Sequence, residues 1–203
     1  MTVNQTRIVA VANEKGGVGK TAMAVNMGAA LAARGQKVLI VDMDPQHNAT
    51  YGLGIWIDEE MPNIYDLINT PGEYAAADAV CPTRWENLSL IPSHSDLAGA
   101  EVELVEQSGR ETRLSDALAD IVDDYDVVLI DTPPSLSLLT INVLAFAGEV
   151  LVPCQTQPYA YRALEELFDT IEAVRTDINP DIEISGVIPT FFDQRTRVSH
   201  DIL

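Results

Sequence analysis

The chain has 203 residues, 47% of them hydrophobic, and 31 acidic residues against 12 basic ones give it a formal net charge of −19. That length and apolar content suit one compact domain spanning 1–203 and exclude a disordered chain, and no window approaches the roughly 18 apolar residues a membrane span needs. The N-terminus, Met1-Thr-Val-Asn-Gln-Thr-Arg7, has no charged region followed by an apolar one, so a secretory signal is excluded and a cytoplasmic location expected.

Along the chain, apolar runs of strand length alternate with longer helical patterns, the signature of βαβ units. A first strand is expected over 7–13, then a glycine loop and a helix from about Lys20 to Arg34, closed by Gly35. A second strand covers 37–41 and runs into Asp42-Met43-Asp44-Pro45. Short helical pieces follow near 64–69 and 74–80, a strand at 88–91 and a helix over 111–124. A buried strand at 127–130 leads into Asp131-Thr132-Pro133-Pro134. A helix near 136–146, a strand at 149–152, a long helix from about 159 to 176 and a strand at 182–188 complete the pattern. The last residues, 191–203, read as a loop and the start of another helix. The expected architecture is a doubly wound α/β fold, a mostly parallel sheet with helices on both faces. In such sheets ligands bind at the carboxyl ends of the strands, which is where the motifs fall.

Lys15-Gly16-Gly17-Val18-Gly19-Lys20-Thr21-Ala22 sits between an apolar strand and a helix. Its glycines let successive backbone N–H groups face a bound anion at a helix N-terminus. Lys20 can reach β- and γ-phosphate oxygens, and the Thr21 hydroxyl falls where Mg²⁺ would sit. ATP and Mg²⁺ are the implied cofactors, with residues 15–22 as the nucleotide-binding segment. Val127–Ile130 followed by Asp131 is the Walker B pattern, an apolar strand whose terminal acid holds Mg²⁺ through a water. The Asp42 and Asp44 pair could equally cap a strand-end turn.

KGGVGKT after an apolar strand resembles the deviant Walker A motif of the ParA/MinD group of P-loop ATPases, and VDMDPQ (41–46) resembles the first switch of ParA-type, Soj-like partition ATPases. The likeness extends to 138–144, 150–153, the long helix after Tyr159 and 186–190. It implies that Lys15 crosses a nucleotide-sandwich homodimer to touch the partner's phosphates, as an arginine finger would. It also implies that Asp44 orients the attacking water, making Lys15, Lys20 and Asp44 the catalytic set, and that Asp42 supports the metal's waters. His47 stands where the family usually has glycine. Members of the group bind DNA non-specifically and respond to an activator, here a ParB-like centromere-binding protein. They also continue further than Leu203, so the chain reads as truncated and no adenine contact is named.

The charge balance sits awkwardly with DNA. Non-specific binding needs cations against phosphates, and the candidates are Arg195 and Arg197, joined by Arg162 and Arg175. Only three lysines occur, Lys15, Lys20 and Lys37. This acid-rich, lysine-poor composition is what high salt favours, so a halophilic source and stability that rises with KCl are expected. Three other functions occur on the same fold. A MinD-like positioning ATPase would need a basic amphipathic C-terminal helix for its membrane, and none precedes Leu203. A ligase or amidase-type synthase would need a pocket for an organic acid. A nitrogenase-reductase-like protein would need cluster ligands, which Cys81 and Cys154 are not placed to provide. No membrane partner is expected.

Overall fold

The computed structural model describes residues 5–58, 61–157 and 160–195, with the backbone alone for 160–163. Its order is β1 (Arg7–Val11), α1 (Lys20–Ala32), β2 (Val38–Asp42), α2 (Asn48–Gly52), α3 (Ile64–Asn69), β3 (Cys81–Pro82), β4 (Leu88–Ile91), α4 (Leu97–Leu104), α5 (Arg113–Leu118), β5 (Val127–Asp131), α6 (Leu138–Phe146), β6 (Glu149–Gln155), α7 (Ala160–Asp177) and β7 (Glu183–Thr190). Among the described residues the strands form one sheet, β3-β4-β2-β5-β1-β6-β7. Every pairing is parallel except that of β3 with β4.

The central strands β2 and β5 are buried throughout, as expected of strands covered on both faces. Because successive side chains point to opposite faces, each strand feeds two cores. Leu39 and Val41, with Val128 and Ile130, pack against α3 to α7. Val38 and Ile40, with Val127 and Leu129, face the other side with α1 and α2. Full burial of each such side chain contributes about 1.5–3 kcal/mol. Long helix α7 docks through Leu167, Ile171 and Val174, one stripe at helical spacing. On the opposite face α1 lies very close to the sheet. A Cβ at Gly28 would come within 2.8 Å of Ile40 Cδ1.

Several boundaries differ from the sequence expectation. The helix expected over 111–124 ends at Leu118, where the Ile121 amide bonds the Leu118 carbonyl and tightens the chain into a 3₁₀ turn at Val122–Asp124. The piece near 74–80 is also a 3₁₀ turn, Ala76–Ala79. Three elements were not anticipated: α2, β3 and α4. The last buries Leu97, Ala100 and Leu104, an i, i+3, i+7 pattern that was legible in the sequence. Strands β6 and β7 both run further than expected, and their extra residues reach the site.

Candidate functional site

The glycine loop leaves the tip of β1 and is fastened from below. Asn13, buried, donates from Nδ2 to the Pro153 carbonyl (2.8 Å) and accepts the Lys15 amide on Oδ1 (2.9 Å). Gly17 and Gly19 adopt φ of +74° and +99°, the left-handed region open to glycine. Gly16 does not, and a Cβ there would meet Pro134 at an ordinary 3.8 Å. Three loop carbonyls are claimed by side chains: Lys15 O by Lys20 Nζ (3.2 Å), Gly17 O by Gln155 Nε2 (3.0 Å) and Val18 O by Thr190 Oγ1 (2.9 Å). With these carbonyls held, the loop's amides remain to face the cleft, the arrangement that suits an anion.

That cleft has a volume of about 350 Å³ and is lined by Gly16, Gly17, Gly19, Lys20, Thr21, Ala22, Asp44, Gln46, Asn48 and Pro134. Lys20 is only 6% exposed. Burial lowers its pKa, while the nearby Asp131 and Asp44 carboxylates oppose that shift. The Val18 side chain instead lines a neighbouring apolar groove of about 660 Å³, with Met23, Met27, Ile188 and Phe191, that shares Gly19 and Ala22 with the cleft.

Beneath the cleft the parallel register sets Asp42 beside Asp131. Both are fully buried, and their environments differ. Asp42 Oδ2 accepts the Thr50 amide (2.8 Å) and hydroxyl (2.7 Å), and Oδ1 accepts the Asp44 amide (3.2 Å). Neither Asp131 oxygen has a hydrogen-bond partner. The Thr21 hydroxyl lies close enough to favour the charged form, but the contact falls short of a formed bond. Burial raises both carboxyl pKa values; the Asp42 charge raises that of Asp131 further, and the Asp44 charge raises both. A buried carboxylate with two bare oxygens next to a lysine and a threonine hydroxyl fits a hydrated divalent cation. No cluster of three or more His, Cys, Asp or Glu side chains able to hold a metal occurs among the described residues. That agrees with an ion held largely by phosphate and water, as Mg²⁺ commonly is.

Asp44 is 7% exposed at the cleft wall. Its Oδ1 accepts the Gln46 amide (2.9 Å), and its carbonyl accepts the Ser93 hydroxyl (2.7 Å). Lys15 stands half-buried on the rim, with Nζ 3.2 Å from Gln157 Oε1. His47 has φ +45°, which accounts for the glycine usual at that position in the resembled family.

Of the residues considered for DNA, Arg195 is tied to Asp193 by two bonds of 2.9 Å. Arg175 is held by Glu172 (2.7 Å) and the Ile182 carbonyl (2.9 Å). Arg197 and the Arg162 side chain lie outside the described residues. The described pair therefore offers cations already matched by carboxylate or carbonyl oxygens. Sequence reasoning missed Thr50, Ser93, Gln155 and Thr190. Nothing in the sequence around these four signals a role, because each acts on a partner distant in the chain or through a loop.

A cradle of this kind accepts a polyphosphate and its cation, which places the protein among P-loop nucleoside triphosphatases. Residues 6–184 match the AAA domain family. The chromosome partitioning protein ParA of Myxococcus xanthus is 45% identical over 97% of this chain and 69% of its own length. The sporulation initiation inhibitor protein Soj of Bacillus subtilis is 44% identical over 97% of this chain and 77% of its own. Among solved structures, cobyrinic acid a,c-diamide synthase from Mycobacterium smegmatis with bound ADP and magnesium superposes with a TM-score of 0.91 at 42% identity, over 98% of this chain and 80% of that one. The chain belongs to the ParA family of P-loop ATPases. No helix among the described residues is long and apolar enough to cross a membrane.

Proposed function

We propose that this protein is a single-domain, ATP-switched partition ATPase in which nucleotide state controls self-association and, through it, contact with DNA or cargo. The observation that carries this reading is the bare Asp131 carboxylate beside a loop three of whose carbonyls are held by side-chain donors.

ATP and Mg²⁺ are the cofactors. Gly16 to Ala22 cradle the phosphates, with Lys20 against the β- and γ-oxygens. Thr21 and Asp131 hold the cation, Asp131 through water, and Asp42 acts one step removed by fixing Asp44. The magnesium ion supplies charge neutralisation when bound; the chain supplies geometry. Asp44 would orient water for in-line attack. Lys15, displaced from Gln157, reaches the phosphates held by a second copy. Non-specific DNA and a ParB-like activator are the natural partners, and a nucleoid-associated cytoplasmic setting follows from them. With Arg195 matched to Asp193, the described cations available to DNA are sparse, and dimerisation would double them.

Light scattering with ATP and with ADP tests the switch. ATP should give dimers and ADP monomers. Lys15→Ala should remain monomeric with ATP while still binding nucleotide. A Lys15→Ala protein that dimerises normally would remove the trans contact from the mechanism. Asp44→Ala should bind ATP and persist as a dimer because turnover stops.

The name of the M. smegmatis structure raises a second reading, an amide-forming synthase. ATP turnover without any organic acid favours the switch, whereas strict dependence on an organic acid favours the synthase.

A further inference from the structure

The loop that carries Asp44 closes on itself through two hydroxyls that the proposed mechanism does not use. Thr50 Oγ1 donates to Asp42 Oδ2 (2.7 Å) and accepts the Ser93 amide (3.1 Å). Ser93 Oγ donates to the Asp44 carbonyl (2.7 Å), and the Asp44 amide returns to Asp42 Oδ1 (3.2 Å). The ring runs Asp42, Thr50, Ser93, Asp44 and back to Asp42, and Asp42, Thr50 and Ser93 are all fully buried. Its members come from three places: the tip of β2, the first turn of α2, and the turn after β4. The surroundings are fixed too. The Met43 amide bonds the Asp131 carbonyl (2.9 Å), and the Ile64 amide bonds the Pro92 carbonyl (2.9 Å).

We infer that Thr50 and Ser93 are positioning residues for ATP hydrolysis, holding the Asp44 backbone so that its carboxylate aims at the attacking water. The inference rests on the reading of Asp44 given above. Hydrogen bonds in a buried ring are well suited to this task. The two hydroxyl bonds are short, all four are shielded from water, and loss of one strands a buried acceptor or amide, so the loop must move to find another partner. Angular placement of a water-orienting group matters steeply, since a displacement near 1 Å can cost about a hundredfold in rate. None of the ring's hydrogen bonds goes to the phosphate loop or to the Asp131 carboxylate, so its loss should spare nucleotide binding.

Thr50→Val removes the hydroxyl with little change in shape, and Ser93→Ala breaks the ring while leaving both Thr50 bonds to Asp42 in place. Steady-state ATPase assays on both should show kcat reduced about ten- to a hundredfold with KM for ATP nearly unchanged, and Thr50→Ser should recover most of the rate. Added to Asp44→Ala, either substitution should cost nothing more, because nothing is left to position. Wild-type kcat in folded Ser93→Ala and Thr50→Val would overturn the inference, as would a loss confined to KM. If Thr50→Val does not fold, Ser93→Ala decides alone. The two readings separate cleanly. Full turnover by Asp44→Ala sinks the role of Asp44 itself, whereas an inactive Asp44→Ala beside a fully active Ser93→Ala sinks only the positioning ring.

Discussion

Two strand tips lie side by side at the floor of the cleft, and the chain treats them in opposite ways. At the end of β2, Asp42 is saturated by Thr50 and the Asp44 amide. At the end of β5, its register partner Asp131 accepts no hydrogen bond on either oxygen. The first arrangement is that of a structural anchor, a buried charge whose burial is offset by donors. The second is that of a group kept for something not encoded in the chain, since a bare buried carboxylate costs folding free energy that a folded protein has no other reason to spend. Pre-organisation sits on one strand and receptivity on its neighbour.

The largest test of this contrast is Asp131→Asn. It should abolish Mg²⁺-dependent ATP hydrolysis while raising the stability of the nucleotide-free protein at neutral pH by about 1–2 kcal/mol, because an amide at this buried position neither has to take up a proton nor carries a charge, as the Asp131 carboxyl with its raised pKa must. Chemical denaturation and a turnover assay on the same preparation give both numbers. Opposite movement of activity and stability is the signature expected; a destabilised variant would mean that Asp131 already has a partner in the folded chain.

A smaller effect is expected from pH. Burial keeps the Asp42 and Asp131 carboxyls protonated to higher pH in the native state than in the unfolded chain, where they titrate near about 4. The native state therefore binds more protons through the interval from about 4 toward neutrality, and the stability contributed by these groups falls as pH rises across it. Melting temperatures of the nucleotide-free protein should drop over that range, and Mg²⁺ with nucleotide should flatten the slope. An unchanged slope in Asp131→Asn would assign the effect elsewhere.

The smallest change sharpens the picture at the β2 side. His47 holds a left-handed φ of +45° and buries Nδ1 without a partner. His47→Gly removes both penalties and loses an edge contact with Tyr51 (ring centroids 4.6 Å). The net expectation is a gain of about 1 kcal/mol, or a melting temperature about 2–4 °C higher.

Much of this was legible beforehand. The unbroken apolar runs of β2 and β5, the glycine loop and the acids that follow each run placed the sheet centre and the cleft correctly. What escaped notice depends on partners distant in sequence. Expected strand ends at 152 and 188 stop just before Pro153 and Pro189, residues that argue against a strand interior. Both are nevertheless in the β6–β7 ladder. Beyond Leu151, β6 is no longer paired with β1, so the missing proline N–H loses no bond on that side. This extension delivers Gln155 and Thr190 to the loop. The Thr50 and Ser93 ring was equally invisible, because 43 residues separate two groups that only the fold brings together.

Gly28 gives the site a mechanical coupling. Its missing Cβ lets α1 ride directly on Ile40, two residues before Asp42 on the same strand. The helix that begins under the phosphates and the strand that ends at the water-aligning loop thus share one pivot. A tilt of α1 as its first turn grips an anion cannot be absorbed by a compliant side-chain layer at that point. Under the proposed reading of Asp44, such a tilt would bear on β2 two residues from its tip, tying the grip on the anion to the placement of the acids there.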